Sequence, residues 1–213
     1  MLLELSEILA CPVCGPPQVM VAVAHESVGR RVSQGFLGCP TCDSRFPVED
    51  GVLYLDRPGS GESREAILAS GVALSPDVAM WVGAVLDVAA GRGPLLLARE
   101  LDEIADAVAG LAESWEVVSL NDARAERPSG PPNLSRIVVS EGGSPPVLAG
   151  RCGAAALAGD PGPDRIRRFA AALRPMGRLA IVAPGPGVAA AMREAGLEVM
   201  APDDRITVGS QRC

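Results

Sequence analysis

Four cysteines of the sequence fall into two pairs of identical spacing. Cys11 and Cys14 form the first C-x-x-C pair, and Cys39 and Cys42 form the second after 24 intervening residues. Each C-x-x-C turn directs two thiolates towards one point, so two such turns complete a tetrahedron of sulfur ligands. Zinc favours this ligand set, and four protein thiolates leave no position open for water. The spacing therefore predicts a structural zinc site, with an iron–sulfur cluster as the alternative.

The remaining cysteines and the single histidine add little to this site. Cys152 and Cys213 are far apart in sequence, and we interpret them as a buried small side chain and a free thiol near the end. His25 lies between the two pairs, but four cysteines already complete the ligand set, so a solvated turn residue is expected. A Ser–His–Asp triad is excluded because the only histidine belongs to this region.

Composition restricts the class of protein. The chain has 213 residues, 48% of them hydrophobic, which is enough for a folded core, and its net charge of −7 disfavours a stand-alone nucleic-acid binder. The acidic start and the lack of an apolar run of about 18 residues predict neither a signal peptide nor a membrane span. A cytoplasmic location is expected, where cysteines serve as metal ligands more often than as disulfides.

Residues 1–56 are predicted to form a first unit. It begins with a short helix over Leu2–Leu9, followed by a β-like stretch over Val19–Ala24 and a charged turn over Glu26–Arg31. Asp50-Gly51 separates two apolar runs and predicts a hairpin turn. Residues 57–62 have the composition of a linker, and the second unit is assigned to residues 63–213.

The second unit alternates short apolar runs with helical patterns, which predicts an α/β fold with a mostly parallel, doubly wound sheet. Predicted strands are Leu95–Ala98, Glu116–Leu120, Ile137–Ser140, Gly153–Leu157, Arg178–Val182, Leu197–Met200 and Ile206–Val208. Predicted helices are Ser63–Ala69, a helix capped by Ser75-Pro76-Asp77 that continues to Ala89, Leu101–Glu113, Asp164–Leu173 and Gly187–Ala195. The last two strands lack an intervening helix, so an antiparallel hairpin is expected there. Residues 123–135 are predicted to form a loop.

Two segments resemble a known family. Ile8-Leu9-Ala10-Cys11-Pro12-Val13-Cys14, and the run from Cys39-Pro40-Thr41-Cys42 through Phe46-Pro47-Val48-Glu49-Asp50-Gly51-Val52, resemble the zinc-ribbon activator subunit of tRNA, rRNA and release-factor methyltransferases. The resemblance covers residues 2–56. It implies a ribbon that binds and stabilises a methyltransferase, often by extending its sheet, without catalysing a reaction itself. A protein partner is therefore expected.

The second unit is similar, more weakly, to class I S-adenosylmethionine (SAM) methyltransferases. Arg167 to Val182 resembles a helix, a Leu-Arg-Pro-Gly-Gly turn and the fifth strand of that fold, with Met176 in place of the first glycine. The stretch from Pro145 to Leu157 resembles the approach to the fourth strand. The resemblance implies a Rossmann-like domain fused to its own ribbon.

Two assignments of the first strand compete, and they decide whether SAM binds. In the first, the strand is Leu95–Ala98 and is followed by Arg99-Glu100-Leu101-Asp102-Glu103. A SAM loop needs glycines so that the backbone can approach the ligand, and this segment has none and carries three acids. The first assignment therefore predicts a degenerate site and a protein that acts as an interaction partner or scaffold.

In the second assignment, Val85-Leu86-Asp87 is the strand, and Asp87, Gly91 and Gly93 line the cofactor, with Asp122 on the ribose hydroxyls. An active SAM-dependent methyltransferase would follow. We favour the first assignment because apolar residues recur at helical spacing from Val78 to Ala89, which predicts that Asp87 lies on a helix.

Two clusters of charge have simpler explanations than catalysis or RNA binding. Arg165, Arg167, Arg168, Arg174 and Arg178 are expected on a solvated helix face, with contact to RNA phosphates as the alternative. The acids Glu100, Asp102, Glu103 and Asp106 are expected to stabilise a helix N-terminus.

Overall fold

A computed structural model describes residues 1–56, 74, 77–91, 93–121, 130–139 and 145–212. Several predictions from the sequence lie outside these residues: the linker at 57–62, the helix Ser63–Ala69, the Ser75-Pro76 cap, Asp122, most of the predicted loop at 123–135, and Cys213.

The described residues form eleven strands and four α-helices. The strands are β1 (Val21–Val28), β2 (Arg31–Gly38), β3 (Arg45–Glu49), β4 (Val52–Tyr54), β5 (Gly93–Leu97), β6 (Trp115–Asn121), β7 (Leu134–Val138), β8 (Cys152–Ala158), β9 (Leu173–Val182), β10 (Leu197–Ala201) and β11 (Ile206–Gln211). The helices are α1 (Asp77–Val85), α2 (Ala105–Leu111), α3 (Gly162–Ala172) and α4 (Val188–Glu194). Two short 3-10 helices span Leu3–Glu7 and Arg99–Ile104.

The strands form one sheet in the order β1-β2-β3-β4-β7-β6-β5-β8-β9-β11-β10. From β7 to β9 the neighbouring strands are parallel, whereas β11 is antiparallel to both β9 and β10. If β5 is numbered as the first strand of the second unit, the order is 3-2-1-4-5-7-6. The fold-class prediction is confirmed: a small four-cysteine ribbon is followed by a doubly wound, Rossmann-like α/β domain of the methyltransferase type.

Local predictions differ from the structure mainly at element ends. The helix α1 stops at Val85, because Leu86 to Ala90 form turns in which Asp87 has a φ of 57°. The predicted helix from Leu101 to Glu113 begins as a 3-10 helix and becomes α-helical only at Ala105. The strand β1 runs on to Val28, so the turn is confined to Gly29-Arg30 rather than the whole predicted range of Glu26–Arg31.

Two apolar layers cover the two faces of the sheet. One layer packs α1 and α2 on side chains such as Leu95 and Leu97, and the other packs α3, α4 and the start of the ribbon on Leu96. Successive residues of β5 therefore point to opposite layers, as the pleat of a strand requires. Burial on both faces explains why β5 and β8 are continuous apolar runs.

The ribbon joins the sheet of the second unit. Its last strand, β4, lies parallel to β7, with Tyr54 opposite Val138. The side chain of Arg31 donates to the carbonyl oxygens of Pro132 and Leu134 at 2.6 and 3.0 Å. The strand β4 is paired on both sides, with β3 of the ribbon and with β7 of the second unit.

Among the described residues, no helix combines the length and the apolar character that crossing a bilayer demands.

Candidate functional site: a four-cysteine centre and the switch point of the sheet

The four cysteines predicted as ligands meet at one point. Their sulfur atoms all lie within 4.8 Å of one another, with Cys11 Sγ 3.7 Å from Cys42 Sγ and Cys14 Sγ 3.8 Å from Cys39 Sγ. A tetrahedral ion bonded to sulfur at about 2.3 Å requires sulfur–sulfur edges of about 3.8 Å. The cluster therefore has the dimensions to bind a metal ion.

Each cysteine pair lies in a turn that ends with a left-handed residue. The N–H of Gly15 donates to the carbonyl of Cys11 at 2.8 Å, and the N–H of Asp43 donates to that of Cys39 at 3.0 Å. Gly15 and Asp43 have φ values of 73° and 55°. Glycine adopts this conformation without strain, and aspartate does so more readily than most residues. The two turns thus have the same form and bring their thiols together.

Thiol ionisation differs across the cluster. The Cys42 Sγ donates to the Ser44 hydroxyl oxygen at 3.2 Å, and hydrogen bonding with the Ser44 side chain and backbone lowers the pKa of Cys42 to about 6. Burial is the largest cause that raises the pKa of Cys11. Because a metal binds the thiolate form, Cys42 is the thiol that Ser44 prepares for coordination near neutral pH. Sequence reasoning did not identify Ser44 in this role.

His25 lies apart from the cluster. Its exposed ring contacts the Phe36 ring edge-on, at 5.8 Å between centroids, across β1 and β2. It is therefore a surface residue on a strand rather than in a turn.

Three residues of the alternative cofactor site lie at the amino end of β5. Asp87 follows α1, with its Oδ2 3.7 Å from Nη2 of Arg178. A Cβ added to Gly91 would lie 2.1 Å from Cζ2 of Trp115, so this glycine is required for packing. Gly93 begins β5. Doubly wound folds bind ligands beyond the carboxyl ends of their parallel strands. Asp87, Gly91 and Gly93 lie at the other end, before or at the start of β5.

At the carboxyl end of β5, an ion pair bridges the crevice where the strand order reverses. Arg165, in the first turn of α3, makes two contacts with the Glu100 carboxylate, one of them between Nη2 and Oε2 at 3.0 Å. Glu100 follows β5 and Arg165 follows β8, the two central strands. The pair therefore joins the segments that follow the two central strands.

Two of the acids after Glu100, Asp102 and Asp106, are also paired. Ser119 donates to Oδ1 of Asp102 at 2.6 Å, and Nη2 of Arg136 lies 2.6 Å from Oδ2 of Asp106. Nε of Arg136 lies 3.4 Å from Oδ1 of Asp102. Arg136, only 6% exposed, thus connects β7 to the segment after β5. The sequence analysis missed Arg136, since partners this distant in sequence leave no local pattern.

These contacts test whether SAM fits at the switch point. The segment Ala98–Ile104 contains no glycine, and two of its acids contact other elements, Glu100 on α3 and Asp102 on β6 and β7. A cofactor that needs close approach of the backbone would have to displace both the side chains and their ion pairs.

Most of the arginine cluster is paired within the protein. Arg167 contacts Asp164 at 2.6 Å, and Nη1 of Arg178 donates to the carbonyl of Val85 at 3.0 Å. The expectation of one solvated helix face is therefore wrong for two members: Arg167 and Arg168 are exposed on α3, whereas Arg174 and Arg178 belong to β9.

Comparisons with known proteins give structural likenesses at low identity only. No family model and no curated protein matches the chain. Similar solved structures include the antibiotic-resistance methyltransferase Kmr (18% identity, 60% of this chain, 90% of that chain, TM-score 0.45). A Burkholderia thailandensis 1,6-didemethyltoxoflavin-N1-methyltransferase with bound S-adenosylhomocysteine matches at 16% identity, 64% and 80% coverage and a TM-score of 0.47.

A chain from the complex between the Haloferax volcanii Trm112 methyltransferase activator and a methyltransferase matches at 13% identity, 64% and 92% coverage and a TM-score of 0.47. Identities this low assign neither a ligand nor an activity to this chain.

Proposed function

We propose that this chain is a zinc-binding interaction or scaffold protein, and that its methyltransferase-like domain does not use SAM. The observation that carries the proposal is the ion pair between Glu100 and Arg165. It links the segment after β5 to the start of α3, the two segments that flank the switch point of the sheet. The Glu100 and Arg165 side chains are 20% and 31% exposed, so each charge has lost part of its hydration. The opposite charge of the partner compensates for this loss.

Zinc is the proposed occupant of the four-cysteine centre. The compact sulfur cluster fits a tetrahedral ion. Four cysteine ligands would fill all four coordination positions of that ion and leave none for a catalytic water. Bound there, zinc would hold together the two cysteine turns of the ribbon. An iron–sulfur cluster is the alternative occupant, and the colour of the purified protein would distinguish it from colourless zinc.

The ribbon offers a free sheet edge for a protein partner at β1. Among the described strands, β1 pairs with β2 alone and forms one end of the sheet. Val21 and Val28 on this strand are 55% and 82% exposed. A partner can add a strand to such an edge through main-chain hydrogen bonds. The edge of β4, in contrast, is already used by β7.

Calorimetric titration with SAM tests the proposal. We expect no heat of binding at micromolar to millimolar SAM, with folding verified by circular dichroism. A matched titration uses Glu100→Gly, which removes the carboxylate of the ion pair.

Micromolar binding by the unaltered chain would overturn the proposal. If that binding were lost in Asp87→Ala, the active methyltransferase would be supported instead, with Asp87, Gly91, Gly93 and Asp122 at the cofactor.

A further inference from the structure

The two end strands of the sheet differ in how well their open edges are protected. Among the described strands, β1 pairs with β2 alone, and every residue of β1 except Ala22 is exposed. At the other end of the sheet, β10 has only five residues, carries the charged Glu198 and shifts its register after Val199. Short length, charge and bulges protect an edge from pairing with another chain. The edge of β1 is therefore the more open of the two.

The first half of β1 is regular and uncharged. Residues Val21 to Ala24 pair with β2 without interruption, and the register shifts begin only after Ala24. No charged side chain occurs among residues 8–24. The second half, in contrast, contains these shifts and the charged Glu26, which are protective features. The open part of the edge is thus the stretch from Val21 to Ala24.

The main chain of this stretch directs two residues outward. The carbonyl oxygens of Val21 and Val23 lie beside two glycines of β2, so these groups face the neighbouring strand. Along a paired strand, the N–H and C=O groups of successive residues point alternately to one side and to the other. The N–H and C=O groups of Ala22 and Ala24 therefore point away from β2, towards the position that an added strand would take.

A second copy of this chain fits this edge by symmetry. A two-fold axis at Ala22, perpendicular to the sheet, places the Ala22 residues of the two copies opposite each other, where they can exchange N–H···O=C bonds. The same axis places Val21 of each copy opposite Val23 of the other. Directly opposite side chains stabilise a sheet, and β-branched residues are favoured in such pairs. Because the stretch is uncharged, the arrangement opposes no like charges.

The valine pairs would extend an apolar row on the outer face of the ribbon. Val21 and Val23 are 55% and 38% exposed, and Val23 lies opposite Phe36 of β2. Ala22 packs against the core layer on the other face. In the paired arrangement, Val23 has Phe36 on one side and Val21 of the second copy on the other. Apolar surface that is exposed in the single chain would thus be removed from water.

We propose that two copies of this chain pair through β1, antiparallel about a two-fold axis at Ala22, so that their sheets become continuous. The proposal rests on the interaction function proposed above and identifies the partner as a second copy. A short pair of strands buries little surface, so the Kd of the dimer is expected to be on the order of tens of micromolar.

Sedimentation velocity of the full chain over a concentration series tests the pairing. The mass should rise from the 21.9 kDa of one chain towards twice that value as the concentration approaches about 1 mM. Val21→Lys and Val23→Glu should each weaken association about tenfold or more, because each sets a charge opposite a valine of the second copy. Val28→Lys, which changes an exposed valine outside the paired stretch, is the matched control and should associate like the unaltered chain.

Mixing the variants tests the register. An equimolar mixture of Val21→Lys and Val23→Glu brings the introduced lysine directly opposite the introduced glutamate, so association should recover about tenfold over either variant alone. A mixture of Val21→Lys and Val21→Glu sets the two charges diagonally and should recover much less. Circular dichroism and the melting temperature show that each variant is folded.

A chain that stays monomeric at about 1 mM would overturn the proposal, and so would equal recovery in the two mixtures. Titration with SAM is a separate measurement. A dimer that binds SAM would contradict the scaffold function and leave the pairing intact, whereas a monomer that binds no SAM would contradict the pairing alone.

Discussion

Leu53 of the ribbon lies directly opposite Ile137 of the α/β domain, in parallel strands of one continuous sheet. Both side chains are fully buried in the same apolar layer, together with Leu5 and Phe46 of the ribbon. Loss of order in the ribbon would therefore expose part of the core of the second unit. The metal centre and the α/β domain are expected to unfold as one cooperative unit.

This coupling gives a prediction for the metal. Purified protein should contain one zinc per chain, and Cys39→Ser should contain less than one and melt roughly 10 °C lower or more. The reason is that the ion holds two turns whose strands continue into the shared sheet. Elemental analysis and thermal denaturation measure both effects. Cys152→Ala, which removes a thiol outside the cluster, should keep its zinc, and unaltered stability of Cys39→Ser would contradict the prediction.

Gly91 is expected to be required for packing. Gly91→Ala should lower the free energy of unfolding by about 1–3 kcal/mol, since the new methyl group would overlap the Trp115 ring. Urea denaturation followed by tryptophan fluorescence measures the change. Gly110→Ala in α2 is the control, because an added Cβ there meets nothing within 4 Å and should stabilise the helix by up to about 1 kcal/mol. Equal effects of the two substitutions would refute the packing role.

Met176 provides a test in the stabilising direction. Its φ of 64° lies in the region that glycine adopts without strain, and it stands where the Leu-Arg-Pro-Gly-Gly turn that this segment resembles has a glycine. Its side chain is 66% exposed, so little packing is lost on truncation. Met176→Gly should therefore raise the free energy of unfolding by about 1 kcal/mol. Met176→Ala keeps the Cβ and the strain, and a gain as large in that variant would show that the backbone conformation is not the cause.

Arg136 should be among the most sensitive charged positions. Arg136→Met leaves Asp102 and Asp106 without their cation, and Asp102 is only 14% exposed. Breaking a mostly buried pair costs about 3 kcal/mol, because the remaining carboxylate stays desolvated. Chemical denaturation at neutral pH measures the loss. Arg167→Met, which breaks an exposed pair, should change stability by at most about 1 kcal/mol, and a similar loss at both sites would argue against burial as the cause.

Patterns within short stretches were sufficient to predict much of the fold. The seven predicted strands of the second unit, the helices before β9 and β10, and the hairpin at Asp50-Gly51 all occur, with errors of a few residues at their ends. The spacing of apolar residues within a short stretch indicates whether that stretch is a helix or a strand. This spacing depends only on residues that are neighbours in sequence, so it can be read without the tertiary structure. The identity of the first strand follows in the same way, because helical spacing before Asp87 is a local property.

The cysteine centre was predictable for a related reason. Two C-x-x-C turns each hold two thiols by local geometry, and the compact sulfur cluster follows once the two turns meet. The contribution of Ser44 to Cys42 was not predicted, because serine two residues after a ligand is too common to signal a hydrogen bond.

Contacts between distant residues depended on the tertiary structure. Glu100 and Arg165 are 65 residues apart, and Asp106 and Arg136 are 30 apart, so neither pair leaves a periodic signal. The joining of β4 to β7 likewise arises from the docking of one unit on the other. Sequence periodicity determines which face of an element is apolar, whereas the packing of those faces decides which charges meet.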